Sequence, residues 1–283
     1  MDPLQPVAAA DRDPKLVFIG IPAAGDPLWS TARVLASLEI APNDKGLRFI
    51  IRKVGGQGVA KARNILTYMA RCSGAGEMVL ADSDVKFGPE HVFHIVEHPD
   101  LFVGALYPKK QVPFSWVGEF DSANPAAMHP RGLWPMISVG GGFLKVNLEV
   151  VDSMIEEFPE RGYESDEEAA VVGLVKGQWM HDLFGMGVIK DNWFGREFPR
   201  YITEDYYFSQ LWRRMGGKCW VDPNCQVGHV GQIDYLDLVA LIESEKQKAV
   251  QAFMATMPRP HVNGGRRSAF QPPRPKRGAR RPT

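Results

Sequence analysis

Apolar residues along this chain fall into short unbroken runs, separated by stretches in which they recur at helical spacing. Leu16-Val17-Phe18-Ile19-Gly20-Ile21, ending at Pro22, is a run of strand length and predicts a buried strand. Asp26-Pro27 then opens a helix with Val34, Leu35 and Leu38 on one face. Arg48 to Val54 predicts a second strand, Gly55-Gly56-Gln57-Gly58 the loop after it, and Val59 to about Arg71 a helix. A third strand, Glu77 to Ala81, runs into Asp82-Ser83-Asp84; a helix begins near Pro89, and a fourth strand covers Leu101 to Leu106. This alternation predicts an α/β fold, a parallel sheet wound with helices.

Beyond Tyr107 the pattern changes. Residues 107–135 mix Pro, Trp, Gly and polar side chains, which reads as a long functional loop. Ile137 to Val146 is strand-like around Gly140-Gly141-Gly142, and a helix follows near Leu148–Phe158. The stretch Glu160 to Arg200 is acidic at first, then rich in Gly, Met, Trp and Phe. Tyr207, Leu211 and Met215 share one face of a helix from Glu204, a strand lies around Cys219–Val221, and a last helix spans about Tyr235 to Ala255. The expected organisation is a flexible arm over 1–14, one α/β domain over 15–256 with halves at about 15–106 and 107–256, and a disordered tail over 257–283.

Composition narrows the class. The chain has 283 residues, 45% of them hydrophobic, enough for a sizeable core, and no apolar run long enough to span a bilayer. The opening Met-Asp-Pro-Leu-Gln-Pro has no secretory pattern, and Cys72, Cys219 and Cys225 show no CxxC spacing, so free thiols in a reducing compartment are expected. Thirty-three basic residues balance 33 acidic ones, but eight of the basic residues and no acidic residue lie between Pro258 and Thr283. Removing those eight leaves 25 basic against 33 acidic residues, a body of net charge about −8 carrying a cationic, proline-rich tail suited to a polyanion.

Two nucleotide signatures are excluded. Gly20-Ile-Pro-Ala-Ala-Gly25 has P-loop glycine spacing, but Asp26-Pro27 stands where Lys-Ser/Thr is required. Gly56-Gln-Gly58 lacks the third glycine of the dinucleotide fingerprint and follows the second strand. Asp82-Ser83-Asp84 is more informative, because it follows a buried strand at the end that opens onto the ligand crevice of a wound sheet. Two carboxylates there repel unless a cation lies between them, and hard oxygen ligands suit Mg²⁺ or Mn²⁺ bridging a diphosphate. Arg63, in the first turns of its helix, can reach an anionic ligand.

The order G-x-A-x-A-R-N at 58–64, D-S-D at 82–84, G-G-G at 140–142, T-E-D at 203–205 and V-G-H-V at 227–230 resembles nucleotide-sugar glycosyltransferases of the GT-A fold. The segments look like those of the large inverting family, and V-G-H-V is similar to polypeptide N-acetylgalactosaminyltransferases; the resemblance covers roughly 15–232 in these islands, and stereochemistry stays open. It implies a nucleotide-sugar half at 15–106 and an acceptor half at 107–256. Pro22 and Ala23 would line the base pocket, and Arg63, Asp82, Ser83, Gly141 and Gly142 would contact the donor, which is expected to be a UDP-sugar. Asp84 and His229, with Asp82, would hold Mn²⁺ or Mg²⁺. Asp205 would be the general base, with Glu204 its acidic partner.

For the acceptor, the cationic tail points to nucleic acid carrying a hydroxymethylated pyrimidine, as in modified phage DNA, with Lys109, Lys110, Arg131 and Trp134 of the long loop as contacts. A glycan or lipid-linked acceptor is the alternative, and a sugar nucleotidyltransferase or a non-catalytic nucleic-acid-binding protein are the readings from other classes. The expected location is the cytoplasm of a bacterium or a phage-infected host. His91, His94 and His98 form a helical stripe away from these acids and read as surface or packing residues, as Cys219 and Cys225 read as buried small residues.

Overall fold

A computed structural model describes residues 4–23, 29–38, 43, 45–113, 115–121, 129–170, 173–189, 199–231 and 234–256. The strands are β1 (Asp13–Ala23), β2 (Arg48–Gly55), β3 (Ala75–Ala81), β4 (Val85–Lys86), β5 (Phe102–Leu106), β6 (Glu119–Phe120), β7 (Trp134–Ser138), β8 (Phe143–Asn147), β9 (Gly162–Glu164), β10 (Trp179–His181), β11 (Gly187–Ile189), β12 (Arg200–Ile202), β13 (Cys219–Gln226) and β14 (Gly228–His229). The helices are α1 (Trp29–Leu38), α2 (Val59–Cys72), α3 (Pro89–Val96), α4 (Leu148–Glu157), α5 (Glu167–Ala170), α6 (Glu204–Arg214) and α7 (Tyr235–Thr256). The chain divides into two units, Met1–Leu241 and Ile242–Thr283; described residues 242–256 of the second are helical. The expected basic tail, 257–283, lies outside the described residues.

Eight strands form one sheet in the order β2-β1-β3-β8-β5-β13-β7-β6. It is an α/β, Rossmann-like arrangement and mostly parallel: β8 and β7 run against the other six. The alternating pleat explains the two-sided burial. Phe18, Leu80 and Leu144 face a core completed by Ile65 and Leu66 of α2, Val150 and Met154 of α4 and Phe208 of α6. Val17, Ile19, Val79 and Phe143 face the opposite core, with Leu38 of α1 and Val92 and Ile95 of α3. Strand-like 137–146 resolves into two strands, β7 and β8, with the glycine run between them.

Residues 4–12, expected as a flexible arm, are tied to the domain. Leu4 O accepts from Tyr68 Oη (2.7 Å) and Gln178 Nε2 (2.9 Å), Val7 N–H donates to Arg71 O, and Arg12 pairs with Asp152 at 2.6 Å. Among the described residues no helix is long and apolar enough to cross a membrane.

Lys145 of β8 is 1% exposed, and its Nζ donates to the carbonyls of His98 and Asp100 (both 2.8 Å) and pairs with Glu77 at 2.9 Å. Lys145→Met leaves a largely enclosed carboxylate and two carbonyls without their cation. A stability loss of about 3–5 kcal/mol is expected in urea titration; a loss below about 1 kcal/mol would show that the site relaxes without it.

Candidate functional site

Asp82 stands directly after β3, where the strand leaves the core. Its N–H donates to Gly142 O at 2.9 Å, so the turn entering β8 fixes the start of the acidic segment. Pro22, Ala23, Gly56, Gly58, Val59, Ala62, Asp82, Ser83 and Asp84 enclose a cavity of about 380 Å³ at this end of β1, β2 and β3. Gly56 (φ 75°) and Gly58 (φ 69°) hold the left-handed conformation that shapes its rim before α2 begins. The structure thus gathers Pro22, Ala23, Asp82, Ser83 and Asp84 into one wall.

Arg63 lies behind that wall. It is 2% exposed; Nη2 donates to Asp82 Oδ1 at 2.7 Å, and Nη1 pairs with Glu204 Oε1. Burial alone favours its neutral form, but the carboxylates of Asp82, Asp205 and Glu204 overcome that and raise its pKa. Burial pushes the Asp82 and Glu204 carboxyls up, against the pull of Arg63. Both Arg63 Nη atoms face protein carboxylates.

The glycine run faces inward. A Cβ on Gly141 would meet Arg63 Cζ at 2.5 Å, and one on Gly140 or Gly142 would meet the Tyr107 hydroxyl at 2.3 or 2.7 Å. The space a side chain would take is filled by this chain's own Arg63 and Tyr107. Helix α6 reads the same segment through one face: Gly141 N–H donates to Asp205 Oδ2 (3.0 Å), and Val139 N–H donates to Ser209 Oγ (3.1 Å). Asp205 Oδ1 also accepts from Thr203 Oγ1 (2.7 Å) and Tyr206 N–H (2.8 Å).

On the open side, Asp84 is 44% exposed, and Lys110 Nζ reaches its Oδ2 at 2.5 Å. Strand β14 pairs with β4 so that His229 opposes Val85, which sets its Nε2 at 3.8 Å from Asp84 Oδ1. His229 Nδ1 lies 2.9 Å from Pro108 O, so this nitrogen carries the proton and Nε2 keeps its lone pair. Burial lowers the His229 pKa, with Lys110 adding to the effect, so the ring is neutral at pH 7. Asp82, Asp84, Glu204 and Asp205 set four carboxylates against Arg63 and Lys110, leaving a formal excess of two negative charges. Asp84 and His229 therefore fit a divalent cation by charge, tautomer and ligand type.

Of the four expected acceptor residues, Lys110 contacts the acids of this site and the other three have their contacts elsewhere. Lys110 sits on Asp84, and Lys109 is fixed through its backbone N–H to Ser115 O (2.7 Å). Arg131 contacts Glu97 O (3.4 Å), ahead of β5, at the end of that strand away from Tyr107. Trp134 is on β7 near the sheet edge, its ring 5.6 Å from Phe120.

Tyr107 and Asn64 carry structural roles that the sequence reading did not assign. Asn64, next to Arg63, donates to Asp182 Oδ1 (2.7 Å) and accepts from the N–H groups of Leu183 and Phe184 (3.0 and 2.9 Å). Its signal was its place in the Arg-Asn pair; Tyr107 had none, lying at the start of the irregular stretch.

No family model matches the chain, and no curated protein sequence matches it. Similar solved structures include A197 from STIV, at 14% identity and TM-score 0.41 over 76% of this chain and 85% of that one. GalNAc-T7 with UDP, GalNAc and Mn²⁺ is similar at 12% identity and TM-score 0.44, over 77% of this chain and 44% of that one. The 4-diphosphocytidyl-2C-methyl-D-erythritol synthase of Anaerococcus prevotii is similar at 12% identity and TM-score 0.28, over 72% and 99%. At such values the site is read from its own geometry.

Arg63→Met leaves Asp82 and Glu204 facing each other with no cation between them. A loss of about 3–5 kcal/mol is expected at pH 7. Their folded pKa values then lie still further above the unfolded ones, so the penalty is present at pH 7 and shrinks as pH falls through them. Denaturant titrations at pH 7 and pH 5 check this. An equal loss at both pH values would assign the effect to packing alone.

Proposed function

We propose that this chain is a metal-dependent glycosyltransferase, moving a sugar from a nucleotide-diphosphate donor, expected to be UDP-linked, to an acceptor hydroxyl. The observation that carries the reading is the wall at the ends of β1–β3. There a cavity of small-ligand size is closed by Asp82-Ser83-Asp84, with the His229 lone pair turned toward Asp84. Asp84 and His229, with Asp82 beside them, would hold Mn²⁺ or Mg²⁺, which when bound supplies Lewis-acid neutralisation of the departing diphosphate.

The chain's own groups divide the remaining work. Pro22 and Ala23 offer an apolar surface for the base, and the glycines at 56 and 58 leave the rim open to a close ligand. Arg63 holds Asp82 in place, and the Gly140–Gly142 turn shapes the pocket by seating Arg63 and Tyr107. Lys110 neutralises Asp84 until a cation replaces it. Asp205 takes the acceptor proton in this reading, its carboxylate oriented by Gly141, Thr203 and Tyr206. The proposed acceptor is DNA bearing a hydroxymethylpyrimidine, supported by the tail's eight basic residues.

Calorimetry with UDP-sugars and Mn²⁺ tests the centre of the proposal. Asp84→Ala should remove the Mn²⁺-dependent part of donor binding, and Lys110→Ala should tighten Mn²⁺ binding because its competitor is gone. Donor binding that ignores Mn²⁺ in the unaltered chain would sink the metal role. Asp205→Asn keeps an acceptor oxygen for Gly141 N–H, so donor binding should persist while transfer falls by about 10²–10⁴-fold; an unchanged rate would remove it as base. Labelled sugar passing to a soluble glycan but not to a hydroxymethylated duplex would discard DNA as the acceptor and leave the transferase.

A further inference from the structure

The stripe His94-x-x-x-His98 and the distant Asp222 meet on the sheet face opposite α2. His94 lies in α3 and His98 just after it, one helical turn on, and Asp222 projects from β13. His94 Nε2 lies 2.5 Å and His98 Nε2 2.9 Å from the same oxygen, Asp222 Oδ2. Among the described residues this is the one group of three or more His, Cys, Asp or Glu side chains whose ligand atoms all lie within 4.8 Å of one another. The two rings stand 5.5 Å apart and nearly perpendicular, so their nitrogens converge without stacking.

The burial and ligand types at this place suit a cation. Asp222 is 2% exposed, and its described partners are the Asn224 N–H on Oδ1 (2.8 Å) and the two imidazoles on Oδ2. These donors satisfy the buried carboxylate, and a cation there would add the charge they lack. Asn224 holds Oδ1, which leaves Oδ2 as a single fixed ligand atom. His98 Nδ1 is buried without a hydrogen-bond partner, so the polar contact of that ring runs through Nε2. Cys225 is nearby but not a ligand: burial pushes its thiol up to about 12, and its Sγ points to His91 O.

We infer that His94, His98 and Asp222 form a second metal site, taking a divalent transition ion of the zinc class and clamping α3 to β13. Two imidazole nitrogens and one carboxylate oxygen match zinc rather than magnesium. Tetrahedral bonds of about 2.0–2.1 Å place ligand atoms about 3.3 Å apart. The 2.5 and 2.9 Å contacts must therefore open by under about 1 Å. His94, with 46% of its side chain exposed, gives the ion its entry and leaves room for water as a fourth ligand. The site shares no ligand with Asp84 or His229.

Cobalt(II) titration of the full chain tests the inference, because a tetrahedral site gives a strong visible band and an octahedral oxygen-rich site a weak one. One equivalent of strong-band cobalt is expected, displaced by zinc and not by magnesium. Asp84→Ala should keep the band. His94→Gln, a change at a half-exposed position, should abolish it with the circular dichroism spectrum retained, as should Asp222→Asn. Zinc at 100 times its Kd should raise Tm by about 5–10 °C in the unaltered chain and not in His94→Gln. No strong band, or a band that survives His94→Gln, would overturn the site. Loss of the band in Asp84→Ala would place the cobalt at the donor cavity instead.

Discussion

A single buried guanidinium organises the cavity. Arg63 comes from α2, yet it bonds the end of β3 through Asp82 and the start of α6 through Glu204, 141 positions away in sequence. An isolated charge in this position would be intolerable, and two isolated carboxylates no better. Together they are stable only while each has its partner, and removing one member costs about as much as a good part of a domain's whole margin. The arrangement therefore has little freedom to drift. Gly141 must lack a side chain, Tyr107 must fill the space behind Gly142, and α6 must begin where Glu204 can reach inward. The shape of the cavity wall follows from these demands, before any ligand arrives.

On the outer side of the same acids the balance is looser. Asp84 is nearly half exposed and held by Lys110, a single ammonium on a flexible stem. A divalent cation there would bring twice the charge and would meet the neutral imidazole of His229, while the ammonium would lose only a solvent-screened contact on leaving. The neutral state of His229 matters here, since an imidazolium would repel the ion. Burial, against a weaker opposing pull from the Pro108 carbonyl, favours the neutral ring, and that carbonyl sets the tautomer. One rigid ion cluster inside and one exchangeable contact outside is an economical way to keep a site shaped while leaving it able to bind.

Much of the fold was legible because apolar runs and helical periodicity report burial directly. The strands at 16–21, 48–54, 77–81 and 101–106 and the three helices between them stand where the pattern sets them, with boundaries moved by a few residues. Pairing is a different matter. Nothing in the periodicity of β8 says that it enters between β3 and β5, because an inward-facing strand looks alike in either direction. The resemblance gives Gly141 and Gly142 to the donor, while the volume a side chain would take there is filled by Arg63 and Tyr107. A missing side chain in sequence does not name what takes its volume. Arg131 and Trp134 belong to the same irregular stretch as Lys110, yet they lie beside other elements, since a loop of that length has no fixed direction. His94 and His98 read as packing because their third partner is 124 or more residues away.

The antiparallel placement of β8 explains why these distant pieces meet. A strand running against β3 must start where β3 ends, and the register sets Phe143 opposite Ala81. The turn that precedes Phe143 therefore lies beside Asp82, which donates its N–H to Gly142 O. Helix α6 is brought to the same place by Asp205 and Ser209, four residues apart on one face, each accepting a backbone N–H from the 139–141 segment. Once α6 is docked there, Glu204 at its first turn faces Arg63 with no further adjustment. A fully parallel sheet would have put the start of β8 at the other end and left Arg63 with Asp82 alone. The reversal of β8, in the middle of the sheet, is what brings the glycine turn and the acids of α6 to the end of β3 in a wound α/β frame.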